Sequence, residues 1–309
     1  MCCLVQNPAS DFKDAFRWIL SPTQDTVQYD YLMTARIRLL LFWVGADDVG
    51  GGYIRRSRST IDPDVRLTQV LFGSDPAKAP RRINYWGAAT EALNGRSSAL
   101  LGFMKAARSG SSSEAEADMR RQKDQGKHSF EAILSIVHND RAVSRVVRPF
   151  ADTDFSLHQL SRVQELSIRH LNEEVSVKEL QGTDLKCPIA RGFLQAIDEL
   201  NEYALNSGTV PRSLCYVYNA RNYTLTLEGR TKVSSKNIRI QPRNRPRIDR
   251  TYRDLIETRF SVFNHKSGER SSFQLLLGTQ SGLRGVPVQI VHQPNWWFQV
   301  VLNLSLATQ

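Results

Sequence analysis

The sequence predicts an α+β, β-rich fold: a mainly antiparallel sheet, sandwich or open barrel, with two or three helices packed to one side. Three observations carry this. Apolar residues alternate at period two through the first and last thirds of the chain. Two segments between residues 158 and 208 switch to helical spacing instead. Turn residues punctuate the last hundred positions at short, regular intervals. With 309 residues, 41% of them hydrophobic, the chain is long enough for a sizeable core.

Residues 1–28 read as a leader, poorly ordered or forming a short helix at Phe12 to Leu20. A β-rich part follows over 29–157. Tyr31, Met33, Ala35, Ile37, Leu39, Leu41 and Trp43 share one face of a long strand, with Thr34, Arg36 and Arg38 on the other. The run Gly45 to Gly52 ends that strand as a turn or bulge. Further strands are expected at 67–73, 98–104, 130–138 and 142–148, and an exposed helix at 113–125.

A helical insert is expected over 158–208. Leu160, Val163, Leu166 and Leu171 mark its first helix. Pro188 opens the second, Phe193, Ile197, Leu200 and Leu205 form its apolar stripe, and Gly208 closes it. The second β-rich part, 209–309, begins with a hairpin: 214–218 and 223–228 flank Asn219 to Asn222. Strands at 231–241, 255–264 and 272–277 follow, with a turn at His265 to Gly268. A closing strand runs from Trp296 to Ser305. The two β-rich parts share one core or stand as two. Because neighbouring strand residues face opposite ways, one of Trp296 and Trp297 is expected to fill the core. The other then covers a second core or lines a ligand surface.

No apolar run approaches the roughly 20 residues of a membrane-spanning helix. The first residues lack the apolar stretch of a secretory signal, because Asp11, Lys13, Asp14 and Arg17 interrupt it. The location expected by default is cytoplasmic, or exported if the true start lies upstream. Cys187 and Cys215 flank the second helix and either pair in a disulfide or remain free and buried. No CxxC pair suggests a zinc ribbon.

The formal net charge is +10, and it is unevenly placed. Between Gly229 and Arg253 lie nine basic residues and one acid, Asp249. Lys236, Arg239, Arg243, Arg245, Arg247 and Arg250 are therefore candidate anion-binding residues. A solvated edge strand protected by cations explains the same pattern. Only Tyr252 interleaves the cations, whereas nucleic-acid grooves usually offer several aromatics. Nucleic acid is thus a possible but disfavoured partner; an unknown small molecule or protein is preferred.

Three strings stand out. In Asp47-Asp48-Val49-Gly50-Gly51-Gly52-Tyr53-Ile54-Arg55-Arg56, consecutive glycines expose backbone N–H groups, though the aspartates would repel a phosphate. Asp75, Asp152 and Asp154 could join them around a hard cation, but the spacing matches no known loop. The second string, 71–87, is turn-rich and holds Asp75, Arg81, Arg82 and Trp86. The third, 285–300, holds Trp296 and Trp297. Asp47, Asp48, Gly50, Gly51, Gly52, Asp75, Arg81, Arg82, Trp86 and Trp297 are the candidate ligand-binding residues.

Catalytic templates fail. Gly278-Thr279-Gln280-Ser281-Gly282 approaches GxSxG but puts Gln280 at the nucleophile position. The six histidines show no HxH or HExxH spacing. No metal ligand set and no cofactor are expected. The leading expectation is a non-enzymatic β-rich protein that binds a ligand or partner on a sheet surface near Trp297 and the glycine-rich string. The alternatives are a hydrolase or transferase built on Asp47, Asp48, Asp75 and His292, and anion binding through 229–253.

Through DDVGGGYIRR at 47–56, LFGSDPAKAPRRIN at 71–84 and GVPVQIVHQPNWWFQVVL at 285–302, the chain resembles an uncharacterised bacterial family without assigned activity. The resemblance spans most of 29–304. It implies a bacterial source and no catalytic residue.

Overall fold

In the computed structural model the described residues are 8–39, 42–95, 97–105, 128–138, 141–147, 150–151, 155–173, 177–181, 191–242 and 246–308. The expected helix at 113–125, and Cys187, Pro188, Asp152, Asp154, Arg243 and Arg245, lie outside them.

Helix α1 (Pro8–Ile19) opens the fold. Strands β1 (Thr23–Leu39), β2 (Phe42–Ser59), β3 (Arg66–Ser74), β4 (Trp86–Asn94) and β5 (Ser97–Lys105) follow. Then come β6 (His128–His138), β7 (Arg141–Val147), the short β8 (Phe150–Ala151), helix α2 (Leu160–Glu173), β9 (Val177–Gln181) and helix α3 (Phe193–Leu205). The chain ends with β10 (Arg212–Tyr218), β11 (Arg221–Ile240), β12 (Ile248–Asn264), β13 (Arg270–Gly278), β14 (Pro287–Asn295) and β15 (Phe298–Thr308).

The fold is α+β and β-rich, as the alternation predicts. One antiparallel sheet runs β10-β11-β12-β13-β14-β15-β1-β2-β3-β4-β5-β6-β7-β9, with β8 beside β6. Strands from both ends of the sequence meet at its centre, where β1 pairs with β15 and β2. The sheet coils into a nearly closed barrel that overlaps itself. Strand β10 packs against β6 and β7: Val217 joins Val137 and Ala142, and the backbone N–H of Ala220 donates to Ser144 Oγ at 2.9 Å. This overlap shields a sheet edge that would otherwise be free to pair with another chain.

The two faces of the sheet hold different cores. On the outer face, Leu67 and Leu71 of β3, Trp86, Ala88 and Ala92 of β4, and Leu101 and Phe103 of β5 pack with Phe12 and Phe16 of α1 and Val163 and Leu171 of α2. Arg145 ties both helices down. Its guanidinium lies 4.0 Å from the centre of the Phe12 ring, and it donates to the Leu171 carbonyl at 2.9 Å. The inner face meets α3, whose Ala196, Leu200 and Ala204 pack with Leu225, Leu227, Ile256, Phe260, Leu275 and Leu277. Two helices therefore clothe the barrel from outside while the third occupies its interior.

Several elements depart from the expected boundaries. The single strand expected over 31–43 is two strands, with the chain reversing between Leu39 and Phe42. Of the turn or bulge expected at the glycine-rich string, the structure has the bulge, set inside β2 rather than at a strand end. There Asp47, Asp48 and Val49 oppose the lone Thr34 between the pairs Ala35↔Ala46 and Met33↔Gly50, which is a β-bulge. Asp48 takes a positive φ of 51° at this bulge. The glycines allow close strand packing. A Cβ on Gly51 would run into the Tyr31 carbonyl oxygen, and one on Gly52 into that of Leu71. Strand β4 was not expected, because its alanines lack the β-branched signature of a strand. The expected strands 223–228 and 231–241 are one strand, β11, with a register shift at Gly229.

The far halves of β11 and β12 extend past β13, whose pairing with β12 stops at Leu255↔Gly278. They pack back on the barrel: Ile238 and Ile240 join Tyr31, Leu302 and Leu304 in one buried cluster.

Candidate functional site: an interior cavity beside helix α3

Helix α3 is held in the barrel by a buried carboxylate. Glu91 of β4 is fully buried and accepts hydrogen bonds from the backbone N–H groups of Leu194 (2.7 Å) and Gln195 (3.2 Å). These are among the first N–H groups of a helix, which have no partner within it, and they form its positive pole. Ser98 Oγ donates to Glu91 as well, at 3.0 Å. Burial pushes the Glu91 carboxyl up to about 7, partly offset by these three donors. Gly192 precedes the helix because any side chain there would collide with Glu91 and Ser98.

Anchored this way, α3 leaves a cavity of about 310 Å³ between itself and the barrel wall. Ile54 of β2, Val70 and Phe72 of β3, Leu275 of β13, Ile290 of β14 and Ile197 of α3 give it an apolar lining. It continues past Arg56, Thr68, Asp198 and Asn201 into a polar cleft of about 520 Å³ lined also by Arg58, Arg66 and Glu202. Period two explains the division: Ile54, Arg56 and Arg58 share the inward face of β2, apolar at one end and cationic at the other.

Where the two spaces join, Arg56 pairs with Asp198 at 3.1 Å. Burial raises the Asp198 carboxyl, while Arg56 and Arg66 lower it. Its side chain is nevertheless 38% exposed. Exposure together with a burial effect is expected of a group facing an internal space. Two polar atoms here have no hydrogen-bond partner although both are buried: the Arg56 Nε donor and the Asn201 Oδ1 acceptor. Buried polar groups are nearly always satisfied, so these two atoms are exceptions in the wall of the space.

The candidate residues from the sequence fall in several places. Asp47 and Arg82 line a separate cleft of about 740 Å³ with residues 76–80. Asp48 is buried against this loop and pairs with Lys78 at 3.0 Å. Asp75 donates its backbone N–H to the Val49 carbonyl at 2.9 Å and lies 3.4 Å from His158. Gly50, Gly51 and Gly52 serve the strand packing just described, and the backbone of Arg81 lies in a short 3-10 turn, Pro80–Arg82. Trp86 is elsewhere: it is buried in the outer core, with its indole N–H donating to the Phe155 carbonyl at 3.0 Å. Trp297 sits at the turn between β14 and β15. Both Trp296 and Trp297 are exposed, at 68% and 44%, so neither fills the core as the strand reading expected. His292 lines the interior cavity rather than the aspartate cleft.

Among the described members of the basic window, Arg239 and Arg247 share Asp249 at 3.6 and 3.0 Å, while Lys236 and Arg250 are exposed on the β11–β12 ribbon.

Sequence reasoning missed the interior site. Arg56 and Asp198 are 142 residues apart, and Glu91 and Leu194 are 103 apart. The available signal was local: an arginine alternating with isoleucine on a strand face that also had to be buried.

The class defined by fold and site is a barrel-like protein with a partly polar cavity beside an internal helix. No helix among the described residues is long and apolar enough to cross a membrane. Comparison with known proteins finds likeness to solved structures. Among them is the crystal structure of a β-barrel-like protein of a domain of unknown function, DUF1849, from Brucella abortus. The two share 9% identity at a TM-score of 0.40, covering 91% of this chain and 96% of that one. No family model and no curated protein matches the chain.

Proposed function

We propose that the protein is a non-enzymatic binder of a small amphipathic molecule, held in the interior cavity beside α3. The observation that carries this reading is an apolar chamber that ends at the Arg56–Asp198 pair and Asn201. Its 310 Å³ falls at the lower end of the roughly 300–1,000 Å³ typical of ligand pockets. A neutral polar head, such as a hydroxyl, lies toward Arg56, Asp198 and Asn201. An apolar tail then lies against Phe72, Ile197 and Leu275. Because Asp198 already answers the Arg56 charge, a neutral head is favoured over a carboxylate or phosphate.

The test uses 1-N-phenylnaphthylamine as a fluorescent reporter and decan-1-ol as competitor. Saturable reporter binding and its displacement by decan-1-ol are expected. Ile197→Trp fills the chamber and is expected to weaken both at least tenfold while the protein still melts cooperatively. Absence of saturable binding, or binding unchanged in Ile197→Trp, overturns the proposal.

A further inference from the structure

Two hairpin tips stand side by side at one end of the barrel. The first joins β1 to β2, the second β14 to β15. They are neighbours because β1 pairs with β15 up to Ile37↔Phe298, and the backbone N–H of Arg38 donates to the Trp297 carbonyl at 2.8 Å. The β1–β2 tip also overhangs the next strand. Pairing of β2 with β3 stops at Gly50↔Ser74, whereas β1 and β2 remain paired as far as Leu39↔Phe42.

These projecting tips are apolar and aromatic where a soluble surface would be polar. Phe42 is 74% exposed, and Ile37, Trp43, Val44, Trp296 and Trp297 are exposed with it. Three of the five tryptophans of the chain are here. Isolated exposed apolar residues need no explanation, but six on two adjoining tips do. The charge pattern is equally one-sided. No carboxylate side chain occurs from Tyr31 to Ala46, nor anywhere after Glu269. Arg36 and Arg38 are exposed beside the aromatic residues.

We infer that these two tips seat the protein on an anionic phospholipid surface, with Phe42, Trp43, Trp296 and Trp297 entering the headgroup region and Arg36 and Arg38 meeting lipid phosphates. Tryptophan favours that boundary, since its ring is apolar and its N–H remains hydrated. The tips are convex and narrow, a shape that enters a deformable bilayer but offers little area for a rigid partner. The exposed Arg36 and Arg38 complement a negative leaflet, while the next carboxylates of β2, Asp47 and Asp48, are engaged by Thr34 and Lys78. This placement is independent of what the interior cavity holds.

The experiment is co-sedimentation of the full chain with vesicles of phosphatidylcholine and phosphatidylglycerol in a roughly 2:1 mixture, against pure phosphatidylcholine. Trp18 is half-buried and Trp86 buried, so intrinsic fluorescence chiefly reports the tips. The wild type is expected to sediment with the mixed vesicles, to shift its emission to shorter wavelength, and to bind more weakly in high salt. The triple variant Trp43→Ser, Trp296→Ser and Trp297→Ser is expected to lose at least tenfold in partitioning with an unchanged melting temperature, because the replaced side chains are exposed. Three results overturn the inference: no binding of the wild type to the mixed vesicles, equal binding to both vesicle types, or undiminished binding of the triple variant. A wild-type dimer that binds no vesicles and that the triple variant dissociates also overturns it, and assigns the tips to self-association.

Discussion

Replacing Glu91 by glutamine isolates the electrostatics of the α3 anchor. In the folded protein burial pushes the Glu91 carboxyl up to about 7, against an ordinary value of 4.5. The folded state therefore holds its proton more tightly than the unfolded chain. The sign follows: Glu91 contributes most favourably below pH 4.5, where both states are protonated, and that contribution is lost as pH rises through 7. A shift of this size corresponds to about 3 kcal/mol across the window. Glu91→Gln abolishes the titration but leaves the helix N-terminus with one carbonyl acceptor in place of two oxygens. Leaving the Leu194 or Gln195 N–H unsatisfied costs about 1–3 kcal/mol. The variant is therefore expected to be less stable than the wild type near pH 5, with the gap narrowing or reversing near pH 8. Urea unfolding followed by circular dichroism at a series of pH values measures this, and the wild-type-minus-variant difference cancels every other titrating group. Parallel pH dependences for the two proteins would refute the reasoning, because they would show that Glu91 does not titrate on folding.

Other outcomes follow from the same geometry. Gly51→Ala and Gly52→Ala place a methyl group against the Tyr31 and Leu71 carbonyl oxygens, so each is expected to lower the melting temperature by more than 5 °C, or about 1–3 kcal/mol. Arg56→Met leaves the Asp198 carboxylate without its partner. A loss of about 1 kcal/mol is expected after solvent screening at this part-exposed pair, together with an Asp198 titration moved further upward, readable by carboxyl-labelled NMR. Cys215 is disulfide-bonded, and its partner lies outside the described residues. Dithiothreitol and Cys215→Ser are each expected to destabilise by about 2–4 kcal/mol. Cys187→Ser is expected to match them, with non-reducing peptide mapping as the check.

Much of the barrel is written in local patterns. Strands β3, β5, β6, β7 and β13 fall close to where alternation puts them, β12 begins at Ile248 rather than at the expected 255, and the apolar stripes of α2 and α3 are plain. The reversal between Leu39 and Phe42 is hidden because its flanking residues are apolar. No glycine, proline or asparagine betrays it. That same composition later identifies the tip as an unusual surface. Trp296 and Trp297 mislead for a related reason: alternation assigns one of them inward only if they belong to a strand, and they form the turn instead.

The interior site was less legible. Gly192 looks like any loop glycine until Glu91 is seen packed against it. Arg56 looks like a surface cation until the sheet curls and turns that face inward. Such features depend on closure, which is a property of the whole sheet and not of any window of sequence. The glycine-rich string shows the converse. It was conspicuous in the sequence, and its structural part is to let β1, β2 and β3 approach closely at a bulge.

The central claim is that the space beside α3 holds a small amphipathic molecule. The most direct test is a crystal of the protein soaked with 10-bromodecan-1-ol and read by the anomalous signal of bromine. The predicted result is a single peak among Phe72, Ile197 and Leu275, with the hydroxyl end of the molecule toward Arg56 and Asn201. A peak only in the Asp47–Arg82 cleft or at the hairpin tips, or no peak at all, would contradict it.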